Sequence, residues 1–230
     1  MNFYLDIETI PSQNPQVKQQ FIDEVKAPGS YKKPESIDQW LAENREAVGE
    51  DNWKKTSFDG GLGHVCCIGV AADNEPVSVY YSESYLNDEK NILSQFFNYI
   101  SEKYDPSSMT PPRFIGHNIT SFDLRFLFQR AVILGVKPPR AIPFGARNWD
   151  KSIFDTMTAW AGYNGTVSLD KLCRVLDLPL KGSETGEDID GSKVWDFVRN
   201  GKISTVAEYC KGDVDRVREI HKRMTFQQTA

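Results

Sequence analysis

Several common functional devices are scarce or missing in this 230-residue chain. Its four cysteines, Cys66, Cys67, Cys173 and Cys210, have a spacing that fits neither a zinc ribbon nor a disulfide framework. The adjacent pair Cys66-Cys67 lies in an apolar run and reads as small buried strand residues. The three histidines, His64, His117 and His221, form no cluster, which excludes a histidine metal site and leaves His117 as a satisfied strand-end residue. There is no cationic excess: 27 Lys and Arg stand against 32 Asp and Glu, a net charge of -5. That balance excludes a general nucleic-acid coat protein, which is strongly basic. It does not exclude an enzyme that handles one strand end and lets a bound metal neutralise its acidic site. Basic and apolar leader regions are missing, and so is any run of transmembrane length, so the expectation is a cytoplasmic protein without a membrane partner. Gly60-Gly61-Leu62-Gly63 lacks the G-x-G-x-x-G spacing and no G-x-x-x-x-G-K-[ST] occurs, which sets aside dinucleotide and phosphate-loop binding. Repeats and low-complexity segments are also absent. With no secretory signal, the sequon Asn118-Ile119-Thr120 is incidental.

What is present is the patterning of one globular domain, residues 1–230, with a helical insertion over 12–60. Hydrophobic content of 40% supports a sizeable core. An opening strand over 2–8 stops at Pro11. Val17, Phe21, Ile22 and Val25 predict a short helix over 15–26, broken by Pro28-Gly29. Pro34 starts a second helix with Ile37, Trp40, Leu41 and Val48 as its apolar face, and 56–63 reads as loop. The continuous apolar run 65–72 predicts a strand covered on both faces, and after the turn at 73–76 a third strand runs over 77–81. Ile92, Leu93, Phe96, Phe97 and Ile100 predict an amphipathic helix over 88–103. A fourth strand follows at 113–117, then a helix over 122–134 with Ser121 as its cap and Gly135 as its stop. A fifth strand is expected at 153–155, helices at 169–176 and 194–198, a mobile loop over 182–191, and a terminal helix over 205–224. Strands one to three are close in sequence and pair antiparallel; the later two arrive after helical crossovers and pair parallel. This is the layout of an α/β, ribonuclease H-like mixed sheet flanked by helices, with the helical insertion after strand one.

The residues with the clearest chemistry open the chain. Side chains alternate between the two faces of a strand, so Asp6 and Glu8 point the same way from the apolar run 3–10. Burying two carboxylates side by side is costly unless a positive charge lies between them, and a divalent cation meets that need. Phe122-Asp123 begins a helix just after a strand end, the usual place of a ligand site in an open sheet. Tyr209 and Asp213, four apart on a predicted helix, share one face. Together these groups point to metal-dependent phosphodiester chemistry.

Three segments carry a resemblance: Asp6-Ile7-Glu8-Thr9, Gly116 to Asp123, and Tyr209-Cys210-Lys211-Gly212-Asp213. In this order the chain resembles the DEDD superfamily of 3′–5′ exonucleases over residues 3–222. Glu208 stands where the histidine subgroup has its base, so the match is to the tyrosine subgroup. Within it, the chain is most similar to the proofreading domain of family-B DNA polymerases, and Lys32-Lys33-Pro34-Glu35 with its following helix looks similar to the stand-alone relatives. The resemblance implies Asp6, Glu8, Asp123 and Asp213 as catalytic metal ligands and Tyr209 as the catalytic tyrosine. It also implies two divalent ions, Mg²⁺ or Mn²⁺, about 3.5–4 Å apart. One ion would lie among Asp6, Glu8 and Asp213; the second would be held by Asp6 and, through water, Asp123. Tyr209 would orient the attacking water.

The substrate implied is the 3′ end of single-stranded DNA, releasing nucleoside 5′-monophosphates. RNA trimming and a catalytically silent end-binding module of the same fold are the alternatives. Thr9, Asn118 and Phe122 are candidate contacts to the terminal nucleotide, against a turn-forming Asn and a core Phe. Arg147, Trp149 and Lys151, with Lys137, Arg140 and Phe144, suggest a single-strand surface on which cations follow phosphates and an aromatic stacks on a base. Asp155, at a predicted strand end, is a reserve ligand, with a capping role the simpler reading.

Overall fold

The computed structural model describes residues 1–162 and 164–227. Five strands form one mixed sheet in the order β3-β2-β1-β4-β5: β1 Asn2–Ile10, β2 His64–Ala72, β3 Ser78–Tyr81, β4 Arg113–Gly116 and β5 Ile153–Asp155. β1 pairs antiparallel with β2, and β2 with β3, whereas β4 lies parallel to β1 and β5 parallel to β4. The expected three-plus-two pattern is therefore present, with β1 in the middle.

Alternation along β1 divides the core. Phe3, Leu5 and Ile7 face a layer made by α3 (Tyr85–Lys103) and α4 (Asp123–Leu134), packed with Leu93, Phe96, Ile100, Phe126 and Leu127. Tyr4 faces the other way, against α6 (Leu169–Val175) and the long closing helix α8 (Ile203–Met224), through Leu172, Val214 and Val217. Each such fully buried side chain contributes about 1.5–3 kcal/mol, so the apolar stripe of α8 holds it along the sheet. Asp6 and Glu8 share Tyr4's face. A register shift between Glu8 and Thr9 bends the end of β1, as bulges beside functional sites do.

The insertion consists of α1 (Pro15–Asp23) and α2 (Pro34–Lys54), then a 3₁₀ turn, Lys55–Phe58. Asn14 caps α1, its Oδ1 accepting from the Gln16 amide at 3.0 Å. The expected apolar face of α2 is only half-buried; the buried residues are Gly49 and Trp53. A Cβ at Gly49 would lie 2.6 Å from the Ile22 Cα, so the glycine lets the two helices touch at the backbone. Trp53 Nε1 donates to the Ser12 carbonyl at 2.8 Å, anchoring α2 to the chain leaving β1.

Several expectations need correction. Ser121 does not cap α4: Phe122 is its cap residue and provides no side-chain bond, while the Leu124 amide donates to the Ile119 carbonyl at 2.9 Å. Gly135, at φ +62°, ends the helix as expected. A short unexpected helix, α5 (Thr156–Ala161), follows β5 directly, whereas the short helix expected at 194–198 is present as α7 (Val194–Arg199). The segment between α6 and α7 is irregular but anchored, with Ile189 buried. No helix among the described residues is long and apolar enough to cross a membrane.

Candidate active site

The site forms where the β1 bulge passes under α8. Asp6, Glu8 and Asp213 each present a carboxylate oxygen within 4.8 Å of the others. Two come from one strand face and the third from a helix packed on it. The close approach depends on β2: Gly69 pairs with Asp6 in register, and a Cβ there would lie 2.9 Å from Val214 and 3.0 Å from the Cys210 sulfur. Only a glycine lets α8 lie that near the sheet.

Asp123 joins from the other side. β4 pairs with β1 only at Asn2–Tyr4, so the Ile7 amide lies beyond the ladder and donates to Asp123 Oδ1 at 3.2 Å. Asp123 is buried, at 3% exposure, and stands outside the tight three-carboxylate group. Tyr209 lies one turn before Asp213 on α8 and is fully buried. Among the described residues its hydroxyl has no hydrogen-bond partner, nor has the inaccessible Asp6 Oδ2. A buried polar atom without a partner is costly in a folded protein, and two beside clustered carboxylates mark a place for a ligand.

The electrostatics agree. Burial first, and then the Asp213 charge, push Asp6 up to about 7. Burial and then Asp6 hold Glu8 and Asp123 well above the ordinary carboxylate range. Burial also raises Asp213, against the pull of Lys181 and Arg216, and raises the Tyr209 hydroxyl above its usual value, with Asp213 and Glu8 adding to it. Clustered acids in this state are short of positive charge. Hard oxygen donors of this kind suit Mg²⁺ or Mn²⁺, so the donor set fits a divalent ion.

Lys181 and Arg216 are the residues sequence reasoning missed. Lys181 Nζ lies 2.5 Å from Asp213 Oδ2 and 5.0 Å from the centre of the Tyr209 ring. Burial works against its charge, but Asp213, Tyr209, Asp6 and Glu8 together outweigh that and keep it protonated. Arg216, on α8, holds the Lys181 loop. It donates to the Pro179 carbonyl at 2.9 Å and to Leu180, bonds Ser183 and pairs with Glu184, and it reaches Asp213 Oδ1 at 3.3 Å. A lone lysine in a segment without periodicity carries no local signal; the one clue was the cationic surplus that four buried acids require.

The other candidates fall into two groups. Thr9 follows Glu8, and its hydroxyl donates to the Ser57 carbonyl at 2.7 Å. Phe122 is half-buried against Phe126, with ring centres 5.7 Å apart, and immediately precedes Asp123. Asn118 adopts φ +62°, the turn conformation that Asn tolerates, and its amide donates to Asp155 Oδ1 at 2.9 Å. Asp155 also accepts from the Met157 amide at 3.0 Å; it caps α5 and serves the turn. His117 is satisfied by Thr156 and the Val167 carbonyl, at 2.9 and 2.8 Å. Arg147, Trp149 and Lys151 sit on the turn before β5, outside the carboxylate group. The Arg147 guanidinium lies 5.4 Å from the Trp149 ring centre, and Asn148 is hydrogen-bonded to Thr120. Phe144 packs into the core against Phe97 and Phe128 and is a hydrophobic anchor instead of part of that surface.

Comparison with known proteins agrees with this architecture. No curated protein matches the chain. Among solved structures, the family B DNA polymerase from the hyperthermophilic archaeon Pyrobaculum calidifontis matches at a TM-score of 0.59 and 18% identity, over 97% of this chain and 24% of the polymerase chain. The chain thus spans about a quarter of that polymerase's length, and the likeness shows the α/β, ribonuclease H-like fold. A family model described as "Predicted 3′-5′ exonuclease related to the exonuclease domain of PolB" matches residues 62–227, which include Asp123, Lys181, Tyr209 and Asp213 but not β1. The chain belongs to this family of predicted 3′–5′ exonucleases related to the exonuclease domain of PolB.

Proposed function

We propose that the protein is a divalent-metal-dependent 3′–5′ exonuclease of the tyrosine subgroup. It would shorten single-stranded DNA from the 3′ end and release nucleoside 5′-monophosphates. The observation that carries this reading is the convergence of Asp6, Glu8 and Asp213 within 4.8 Å, beside an orphaned Asp6 oxygen and Tyr209 hydroxyl. Exonuclease domains of this kind use divalent metals, and a bound pair would supply an activated nucleophile and neutralise the leaving oxygen.

The chain's own residues do the rest. Asp6, Glu8 and Asp213 hold positive charge at the floor of the site, and Asp123 adds a fourth carboxylate beside β1. Water attacks phosphorus as the bond to the 3′-oxygen of the penultimate nucleotide breaks, and that oxygen leaves as the new 3′-hydroxyl. Tyr209, kept protonated by its surroundings, orients the water by a hydrogen bond and does not act as the base. Lys181 places a fixed cation beside Asp213 and Tyr209, where it can draw the scissile phosphate towards the carboxylates. Arg147, Trp149 and Lys151 would follow the strand further along.

The test is a 5′-labelled oligonucleotide incubated with magnesium, manganese or chelator, with matched DNA and RNA. The expected result is a ladder that shrinks one nucleotide at a time, disappears with chelator and favours DNA. Removing a residue that only supports a metal ligand costs about 10–100-fold, so Asp6→Ala or Asp213→Asn should cost more than about a hundredfold. Near-native activity in either variant refutes the site; intact substrate in every lane from folded protein points to a silent end-binding module.

A further inference from the structure

The 3₁₀ turn that closes the helical insertion carries a side chain the core does not use. Phe58 is 70% exposed, a costly setting for a large apolar ring, yet its backbone is firmly held. Thr9 donates to the Ser57 carbonyl at 2.7 Å, the Ser12 amide donates to Thr56 Oγ1 at 2.8 Å, and Thr56 itself donates to the Trp53 carbonyl at 2.7 Å. The turn is thus fastened to the end of β1, directly after Glu8. On its other side the Phe58 ring stands 6.5 Å from that of Phe122, the residue before Asp123. Phe58 is therefore an exposed apolar ring on a fastened turn, set between the neighbours of two carboxylates of the site.

It also borders a cleft of about 190 Å³, lined by Thr9, Lys54, Lys55, Phe58, Trp195 and Asp196 among others. Among the described residues Lys55 has only Asn52 as partner, at 3.2 Å, and Lys54 is no nearer than 3.9 Å to Glu50 and Asp51, so both ammonium groups can reach a phosphate. Trp195 packs edge-on against Trp53, with ring centres 5.8 Å apart, making the opposite wall stiff and aromatic. On that side Asp196 is paired with Arg199 at 2.8 Å, which leaves Lys54 and Lys55 as the cations of the cleft lining that a nucleotide backbone can follow while its base faces the rings. Cations beside fixed aromatic planes are what single-strand binding requires.

The geometry points to the turn Lys55–Phe58 as a wall of the substrate channel: Phe58 stacks on a base at the 3′ end of the strand, and Lys54 and Lys55 meet its phosphates. This inference rests on the exonuclease reading, and it assigns a substrate-positioning role to a segment outside the residues that the family model matches, 62–227.

Two measurements on Phe58→Ala and Phe58→Trp test it. The first uses an oligonucleotide ending in 2-aminopurine behind a phosphorothioate linkage, mixed with excess protein in magnesium, so that stacking is read as fluorescence quenching without turnover. Wild type and F58W should quench and F58A should not; no quenching by wild type, or equal quenching by wild type and F58A, overturns the inference. The second compares oligonucleotides with a normal or an abasic 3′-terminal nucleotide. Wild type should favour the normal end by about tenfold in kcat/KM, the scale of one stacked base, with the difference mainly in KM. F58A should lose that preference and F58W keep it, and an unchanged ratio in F58A overturns the proposal. A protein that quenches yet cleaves neither substrate would refute the hydrolytic reading and leave the stacking role standing.

Discussion

Asp6 is an acid whose folded environment moves its titration up towards neutral pH. Its carboxyl is pushed up to about 7 by burial and then by Asp213, whereas an unfolded aspartate titrates near 3.9. Between roughly pH 4 and 7 the folded protein therefore keeps a proton that the unfolded chain has released, and metal-free stability falls as pH rises through that window. Because the carboxylates interact, the loss belongs to the group and not to Asp6 alone, on the order of a few kcal/mol. Asp6→Asn cannot ionise, so in chelator at pH 8 it should melt above wild type by about 5 °C. With magnesium the order should reverse, because only the wild type gains the full binding energy. Differential scanning calorimetry with and without chelator checks both signs, and a chelated D6N no more stable than wild type refutes the account. Tyr209 is the complementary case, its proton retained and without a partner. Tyr209→Phe should slow turnover about 10–100-fold, the scale of an outer group on a metal site, while keeping the magnesium-dependent rise in melting temperature.

At the level of elements, the site is a contact between a bent strand and a long helix, and Gly69 sets its spacing. A valine there would need room already taken by Val214 and Cys210. Overpacking of this kind costs about 1–3 kcal/mol; here it also lifts the part of α8 that bears Tyr209 and Asp213. Gly69→Val should therefore lose more activity than its lowered melting temperature explains, measured well below that temperature. Activity that simply follows the folded fraction would show that α8 can move without harm. The Lys181 loop is an element of the same kind. Without regular structure of its own, it is held by one arginine that bonds two of its carbonyls, a serine and a glutamate.

For the molecule as a whole, a net charge of -5 means that a nucleic acid is drawn in by local cations and not by the overall field. The turn at 147–151 offers two, Arg147 and Lys151, beside the exposed Trp149. Reversing both to Glu should weaken single-strand binding and flatten its dependence on salt, by about 0.7 in the logarithmic slope for each phosphate that is no longer neutralised. Fluorescence anisotropy across a salt series reads this directly. Unchanged affinity at low salt removes that surface and leaves the Lys54–Lys55 side of the cleft as the path of the strand.

Local periodicity by itself determined the elements and the pairing within each motif. Alternation in β1 put Asp6 and Glu8 on one face, helical spacing put Tyr209 above Asp213, and the order of strands and crossovers led to the three-plus-two sheet. These depend on neighbours two or four residues away, so they are written in the chain. What only the tertiary structure decided involves partners distant in sequence. Ser121 is a good capping residue by composition, yet the turn before Asp123 closes on its own backbone, with the Leu124 amide donating to the Ile119 carbonyl, and the Asp123 carboxylate is tied to the Ile7 amide of β1. Arg216 bonds Pro179 and Leu180 just before the loop expected at 182–191 and Ser183 and Glu184 at its start, and this places Lys181 against the carboxylates; Phe58 is set beside Phe122 by bonds to the end of β1. A single lysine or phenylalanine has no period to betray it, and its role comes from the charges and rings that packing brings to it.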